Sequence, residues 1–243
     1  MGRAGKGSKK ASPENPRVAE LAARLESRYG TYPDESSGPV LDQLVWFLLS
    51  ARTTVENCDA AYEALRARYP TWAEVAEAPS EYVGDCLRPA GLQRARAANL
   101  AASLAAIRAR FGSESLEELR SWPDRECEIF LRSLPGVGLK VARCVLSFGL
   151  GRPCFAVDAH IWRVTRRLGW HDHPGEAPSE RGADEIQALA RGAPDPLSLH
   201  VNLIRFGREF CPSGEPRCAA CPLAGLCASA PRAAAPTAGS APA

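Results

Sequence analysis

The chain has 243 residues, 45% of them hydrophobic, with 30 Lys and Arg against 28 Asp and Glu for a formal net charge of +2. That is enough apolar material for one large domain or two interlocked ones, while the small net charge decides nothing about partners, because a basic face can hide within a nearly neutral total. No run approaches the roughly 20 apolar residues needed to cross a bilayer, and the basic opening "MGRAGKGSKKASPENP" has no apolar stretch behind it to act as a leader. A cytoplasmic protein without a membrane partner is the expectation.

From the N-terminus, residues 1–16 are rich in Gly, Ser, Pro and Lys, and residues 228–243, "ASAPRAAAPTAGSAPA", are of low complexity. Neither holds enough apolar surface to fold, so both read as disordered tails. Between them the pattern is helical. In "LDQLVWFLLSAR" the residues Leu41, Leu44, Val45, Leu48 and Leu49 recur at helical spacing, and Trp46 and Phe47 make most of the circumference apolar. This predicts a helix buried nearly all round. Similar patterns run through Cys58–Leu65, Leu100–Ile107, Cys127–Leu131, Val141–Leu150 and Ile161–Leu168, punctuated by "RPAG", "SWPD" and "LPGVG". No period-two alternation is sustained and no internal repeat is visible, so the fold expected is all-α, with about ten short helices. The segment from Arg88 to Arg110 carries five arginines and no carboxylate, and no acid occurs from Ile129 to Val157. Each run is either a solvated helix face or a surface for an anion.

Lys140, in "LPGVGLKVARC", is singular: the other lysines are Lys6, Lys9 and Lys10, and the remaining permanently cationic side chains are all arginine. Arginine equals lysine in charge and often betters it at gripping phosphate, so a position needing only a cation would be arginine here. What arginine lacks is a neutral, nucleophilic amine. Gly136 and Gly138 bracket Val137, which lets the backbone turn tightly and approach a ligand before a helix starts near Leu139. Amides at a helix start bind anions such as a backbone phosphate, although an ordinary corner between two helices would read the same way. Lys140 falls in the first turn of that helix, where partial burial and the helix dipole both favour a free amine able to attack. Asp158, in "PCFAVDAHIWRV", is the only carboxylate between Glu128 and Asp172. Directly before an amphipathic helix it reads as an N-cap, a role that also holds a carboxylate ionised and aimed. An amine nucleophile with one carboxylate in an acid-poor setting suits attack on a sugar carbon that becomes cationic as its base departs.

Of nine cysteines, Cys58, Cys86, Cys127, Cys144 and Cys154 lie among apolar neighbours and read as small core residues. The other four form one short C-x6-C-x2-C-x5-C run, Cys211, Cys218, Cys221 and Cys227. Thiolates this close together converge on one metal centre, zinc or a four-iron cluster, and the spacing leaves both open. Arg217 lies inside the run, able to face a phosphate.

"LPGVGLKVA", "FAVDAHIWRV" and the four-cysteine run, in this order and at these separations, resemble the endonuclease III family of DNA glycosylases and abasic-site lyases, of the helix-hairpin-helix superfamily, over about Arg17 to Cys227. The resemblance implies two helical domains flanking a DNA-binding cleft. One would be a six-helix barrel over 33–152 bearing the helix-hairpin-helix motif; the other, from 17–32 with 153–227, would carry a 4Fe-4S cluster on the four cysteines, with zinc the alternative. It implies a monomeric, nucleoid-associated enzyme whose partner is double-stranded DNA containing damaged pyrimidines or abasic sites. The damaged nucleotide would be turned out of the duplex, Lys140 would attack the sugar to give a Schiff base, with Asp158 as the catalytic aspartate, and β-elimination would nick the strand. Gly136, Val137 and Gly138 would hold the DNA backbone, and Leu92, in "AGLQRA", would enter the gap as a wedge.

Three departures from the family pattern bear on this. Arg52, in "LSAR", stands where the family usually has the glutamine that fills the gap opposite the wedge, and Val55 stands where it has an acid. Gly214 and Glu215 precede Arg217 in a loop that is often more basic. The first two bear on substrate range and opposite-base preference, the third on phosphate contact. A mismatch-type adenine glycosylase shares the hairpin, aspartate and cluster but normally lacks the lysine. A non-catalytic DNA-binding module would use the hairpin and cluster only to grip phosphates.

Overall fold

The computed structural model describes residues 16–33, 36 and 38–231. Among them there is no strand, and the all-α expectation holds. The helices are α1 (Pro16–Tyr29), α2 (Val40–Ser50), α3 (Val55–Arg68), α4 (Trp72–Glu77), α5 (Ser80–Cys86), α6 (Gln93–Phe111), α7 (Asp124–Ser133), α8 (Leu139–Cys144), α9 (Ala159–Leu168), α10 (Glu180–Ala190) and α11 (Pro196–Glu209). No helix among the described residues is long and apolar enough to cross a membrane.

Local chemistry sets many of the boundaries. The Thr54 hydroxyl accepts the Asn57 N–H at the start of α3, Thr71 and Glu74 form a reciprocal capping box on α4, and the Ser179 hydroxyl accepts the Gly182 N–H on α10. Each satisfies a donor that the first helical turn leaves open. At the other end, α6 and α9 stop at Gly112 and Gly169, both left-handed.

Among the described residues two compact units emerge, one of Thr31–Val157 with Asp195–Ser198, the other of Asp158–Pro194 with 16–30 and 199–231. In the first, α2 packs against α3, α6, α8 and the turn that follows α8. None of its residues is exposed, as its apolar circumference predicts, and two of its polar side chains are paired: Trp46 donates to Asp59 at 2.7 Å, and Asp42 accepts from Trp72 at 2.7 Å. In the second unit Leu21, Leu25, Trp162 and Ile186 are fully buried, and the Trp162 ring lies 4.1 Å from that of His171.

The helix expected through Val141–Leu150 is regular only to Cys144. It then widens into a π turn, Val145–Gly149, in which the Leu150 N–H reaches back to the Val145 carbonyl at 3.0 Å. Apolar periodicity does not separate these two windings. Five helices, α1, α4, α5, α10 and α11, lie outside the segments that periodicity singled out. The expected tails, 1–16 and 228–243, fall outside the described residues except for Pro16, which opens α1, and residues 228–231, where the Ser229 N–H donates to the Arg167 carbonyl at 3.1 Å.

Candidate functional site

The chain leaves α7 at Ser133, turns through Leu134–Gly138 and enters α8. The Val137 N–H donates to the Leu134 carbonyl at 3.1 Å and closes the turn, while its side chain is buried. Val137 therefore shapes the hairpin rather than offering a free donor; the exposed amides without an acceptor among the described residues are those of Gly136 and Gly138. Gly136 sits at φ 80°, and a Cβ there would come within 2.7 Å of the Asn99 amide nitrogen, so both conformation and space demand glycine. The hairpin is tied down by Ser103, whose hydroxyl donates to the Pro135 carbonyl at 3.1 Å, and by the pair Arg143–Glu128 at 3.1 Å between α8 and α7.

Lys140 occupies the first turn of α8 and is half-buried, its Nζ lying 5.3 Å from the centre of the Phe47 ring. Phe47 belongs to α2 and rests in turn on Phe148 of the π turn, ring centres 5.2 Å apart. The lysine amine thus lies over an aromatic floor that limits where it can go.

Arg52 and Leu92 are both exposed, and both adopt the left-handed conformation, at φ 57° and 51°. Side chains with a Cβ enter this region at a cost of about 1–2 kcal/mol each, so the surrounding structure must impose it. The two line one groove of ≈ 380 Å³ together with Gly136 and Asn99. The residue that sequence reasoning missed is Arg96. Only 8% exposed, it donates to four main-chain carbonyls: Leu48 at 2.6 Å, Ala51 at 2.5 Å, Gly91 at 2.8 Å and Ala90 at 3.3 Å. No residue-type signal could have found it, because its partners are main-chain carbonyls, two of them, Leu48 and Ala51, far away in the chain.

In the second unit Asp158 is the N-cap of α9, its carboxylate accepting the Ile161 N–H at 2.8 Å. The same helix carries two arginines toward the cysteine run. Arg163 donates to the Cys211 carbonyl at 2.8 Å and contacts His160 Nδ1 at 3.0 Å; Arg167 donates to Cys211 Sγ at 3.2 Å and to the Pro212 carbonyl at 2.7 Å. Burial holds His160 below the ordinary imidazole range, and Arg163 and Arg208 push the same way against the carboxylate of Asp158.

Cys211, Cys218, Cys221 and Cys227 all line one cavity of ≈ 80 Å³, with Leu223, Phe206 and Phe210 as part of its apolar wall. Burial pushes the Cys221 thiol up, and the charges of Cys227, Cys211 and Cys218 add to it; four thiolates in one apolar pocket repel one another unless a cation joins them. Among the described residues no three His, Cys, Asp or Glu side chains converge as a metal-ligand set; the four thiols ring the cavity instead. Arg217 is exposed on the same loop, its N–H bonded to the Phe210 carbonyl at 2.8 Å.

Comparison with known proteins adds to this geometry. The family model described as HhH-GPD superfamily base excision DNA repair protein matches residues 45–188. Endonuclease III of Thermotoga maritima is 30% identical, over 86% of this chain and 92% of the relative. Endonuclease III of Bacillus subtilis is 34% identical, over 74% of this chain and 76% of its own. Among solved structures, a trapped endonuclease III–DNA covalent intermediate with an estranged adenine superposes with a TM-score of 0.69 at 26% identity, covering 88% of this chain and 94% of that one.

The cap and the charge of Asp158 are separable. Asp158→Ala loses the hydrogen bond to Ile161 and should lower unfolding free energy by about 1 kcal/mol, whereas Asp158→Asn keeps an accepting oxygen and should stay within about 0.5 kcal/mol of the parent. Denaturant unfolding of the two variants checks this.

Proposed function

The chain belongs to the endonuclease III family of the HhH-GPD superfamily, and on that premise we propose that it excises damaged pyrimidines from duplex DNA and nicks the strand at the resulting abasic site. The observation that carries the reading is Lys140. It is the only lysine beyond residue 10, and it stands in the first turn after the hairpin, half-buried and seated on Phe47. A residue needed only for charge could be arginine; an amine that forms a carbon–nitrogen bond could not.

In this reading the nucleotide leaves the stack because its sugar carbon is otherwise shielded. Leu92 enters the vacated space from one side and Arg52 from the other, while the amides of Gly136 and Gly138 hold the DNA backbone and Arg217 adds a phosphate contact. As the bond from C1′ to the base breaks, the bonding electrons leave with the base and the sugar becomes cationic; the ionised carboxylate of Asp158 stabilises that charge. The neutral amine of Lys140 donates its lone pair to C1′, sheds a proton, and the sugar ring opens to an imine. Loss of a proton from C2′ then expels the 3′ phosphate, which breaks the strand and leaves the sugar on the enzyme until water hydrolyses the imine. The covalent intermediate described for the endonuclease III structure supports such a course for the family.

Cys211, Cys218, Cys221 and Cys227 would hold a 4Fe-4S cluster. Zinc, which takes four sulfurs at about 2.3 Å, is the alternative occupant of the same four thiols. When bound, the cluster would bridge the four thiolates, offset part of their charge and clamp this end of the chain. The expected division into a six-helix barrel over 33–152 and a cluster domain from 17–32 with 153–227 is part of the same proposal, as is action as a monomer.

Borohydride trapping on a duplex with an oxidised pyrimidine tests the nucleophile. A covalent adduct should form with the parent protein and vanish in Lys140→Arg; nicking retained by that variant would contradict the assignment. Asp158→Asn should remove the base more slowly by on the order of a hundredfold. Purified protein should contain iron and sulfide and absorb in the visible, and Cys221→Ser should lose both; a colourless preparation holding one zinc would contradict the cluster.

A further inference from the structure

We infer that Arg96 is a positioning residue for this reaction, holding Arg52 and Leu92 in the left-handed conformation that presents both side chains to the gap a flipped nucleotide leaves. The inference rests on the reading of those two residues given above. Among the described residues Arg52 and Leu92 are the only ones other than glycine at positive φ. Arg96 donates through Nη2 to the carbonyl of Ala51 and through Nε to the carbonyl of Gly91. Each of those carbonyls belongs to the residue directly before a left-handed one. Because a peptide unit is planar, fixing its carbonyl fixes the plane from which the next residue's φ is measured. One guanidinium therefore sets the two unusual torsions together.

Its remaining bonds, to Leu48 at the end of α2 and to Ala90 before α6, anchor both segments to the same group, so the separation of Arg52 from Leu92 is set as well. Arg96 is buried and has no carboxylate partner among the described residues, so it acts neither as an exposed phosphate contact nor as half of an ion pair. Its chemistry cannot be copied by lysine. Guanidinium offers five N–H donors in a rigid planar fork, whereas an ammonium offers three from one atom and cannot reach acceptors arranged around that plane.

Arg96→Lys and Arg96→Met, with thermal unfolding followed alongside, are to be compared with the parent by borohydride trapping on two substrates. One is a duplex with an oxidised pyrimidine; the other is a single-stranded oligonucleotide with a preformed abasic site, which has no gap to fill. Both variants should trap the single strand within about threefold of the parent and the duplex about a hundredfold more slowly, the scale expected when a supporting contact lets groups drift by about 1 Å. Fluorescence of 2-aminopurine opposite an uncleavable abasic analogue should change on binding the parent and not on binding either variant. Equal loss on both substrates, unchanged duplex trapping, or failure of both variants to fold would each overturn the inference and leave Arg96 a packing residue. Should the parent trap nothing on either substrate, the nucleophile reading has failed, and the 2-aminopurine signal alone decides: lost in the variants it supports the inference, retained in them it overturns it.

Discussion

A helix that is apolar nearly all round can be buried only if the carbonyls at its C-terminal end find donors inside the protein, since water is not there to supply them. For α2 those donors are the Ser50 hydroxyl, which reaches the Phe47 carbonyl at 3.0 Å, and the Arg96 guanidinium, which reaches Leu48 and Ala51. That requirement shapes much of the larger unit. It explains an arginine in the core, it brings the start of α6 against the end of α2, and it leaves Arg52 and Leu92 standing out of the same groove. The middle of α2 supplies the Phe47 ring on which Lys140 lies. One buried helix thus supports both the amine and the two side chains proposed to work opposite it.

The same economy appears in α9. Its first residue is preceded by Asp158, whose carboxylate closes the helix start, and its later turns carry Arg163 and Arg167 to the backbone and sulfur of Cys211. A cap that merely ended a helix would not need a charge; asparagine or serine serves as well. Here the cap orients a carboxylate, and its helix also braces the loop that bears the thiols.

Much of this was legible in residue types. The singular lysine, the isolated aspartate and the clustered cysteines need only spacing and chemistry to be noticed, and "LDQLVWFLLSAR" announces a buried helix by its pattern. Arg96 was not legible, since "QRARAANL" shows it as one of several arginines in an acid-free run. The fold divides that run sharply. Arg88 pairs with Asp85 at 2.8 Å, Arg108 reaches Glu114 and Glu77, Arg110 lies over the Trp122 ring, and Arg96 turns inward. In the second acid-free run Arg143 and Arg152 meet Glu128 and Asp124 from earlier in the chain. An absence of acids along the sequence is therefore no measure of free positive charge, because partners come from just outside the run, as Asp85 and Glu114 do, and from farther away, as Glu77 and Asp124 do. The left-handed torsions at Arg52 and Leu92 were hidden for a related reason: neither residue favours them, and the bonds from Arg96 to the preceding carbonyls exist only in the folded chain.

Identity of the bonded amine is the most direct measure of the whole account. With four lysines, Lys6, Lys9, Lys10 and Lys140, peptide mapping by mass spectrometry of the borohydride-reduced protein–DNA adduct separates the possibilities cleanly. The sugar remnant should sit on the peptide containing Lys140 and on no other. A remnant on Lys6, Lys9, Lys10 or the N-terminal amine would show that the reaction does not pass through the residue seated on Phe47.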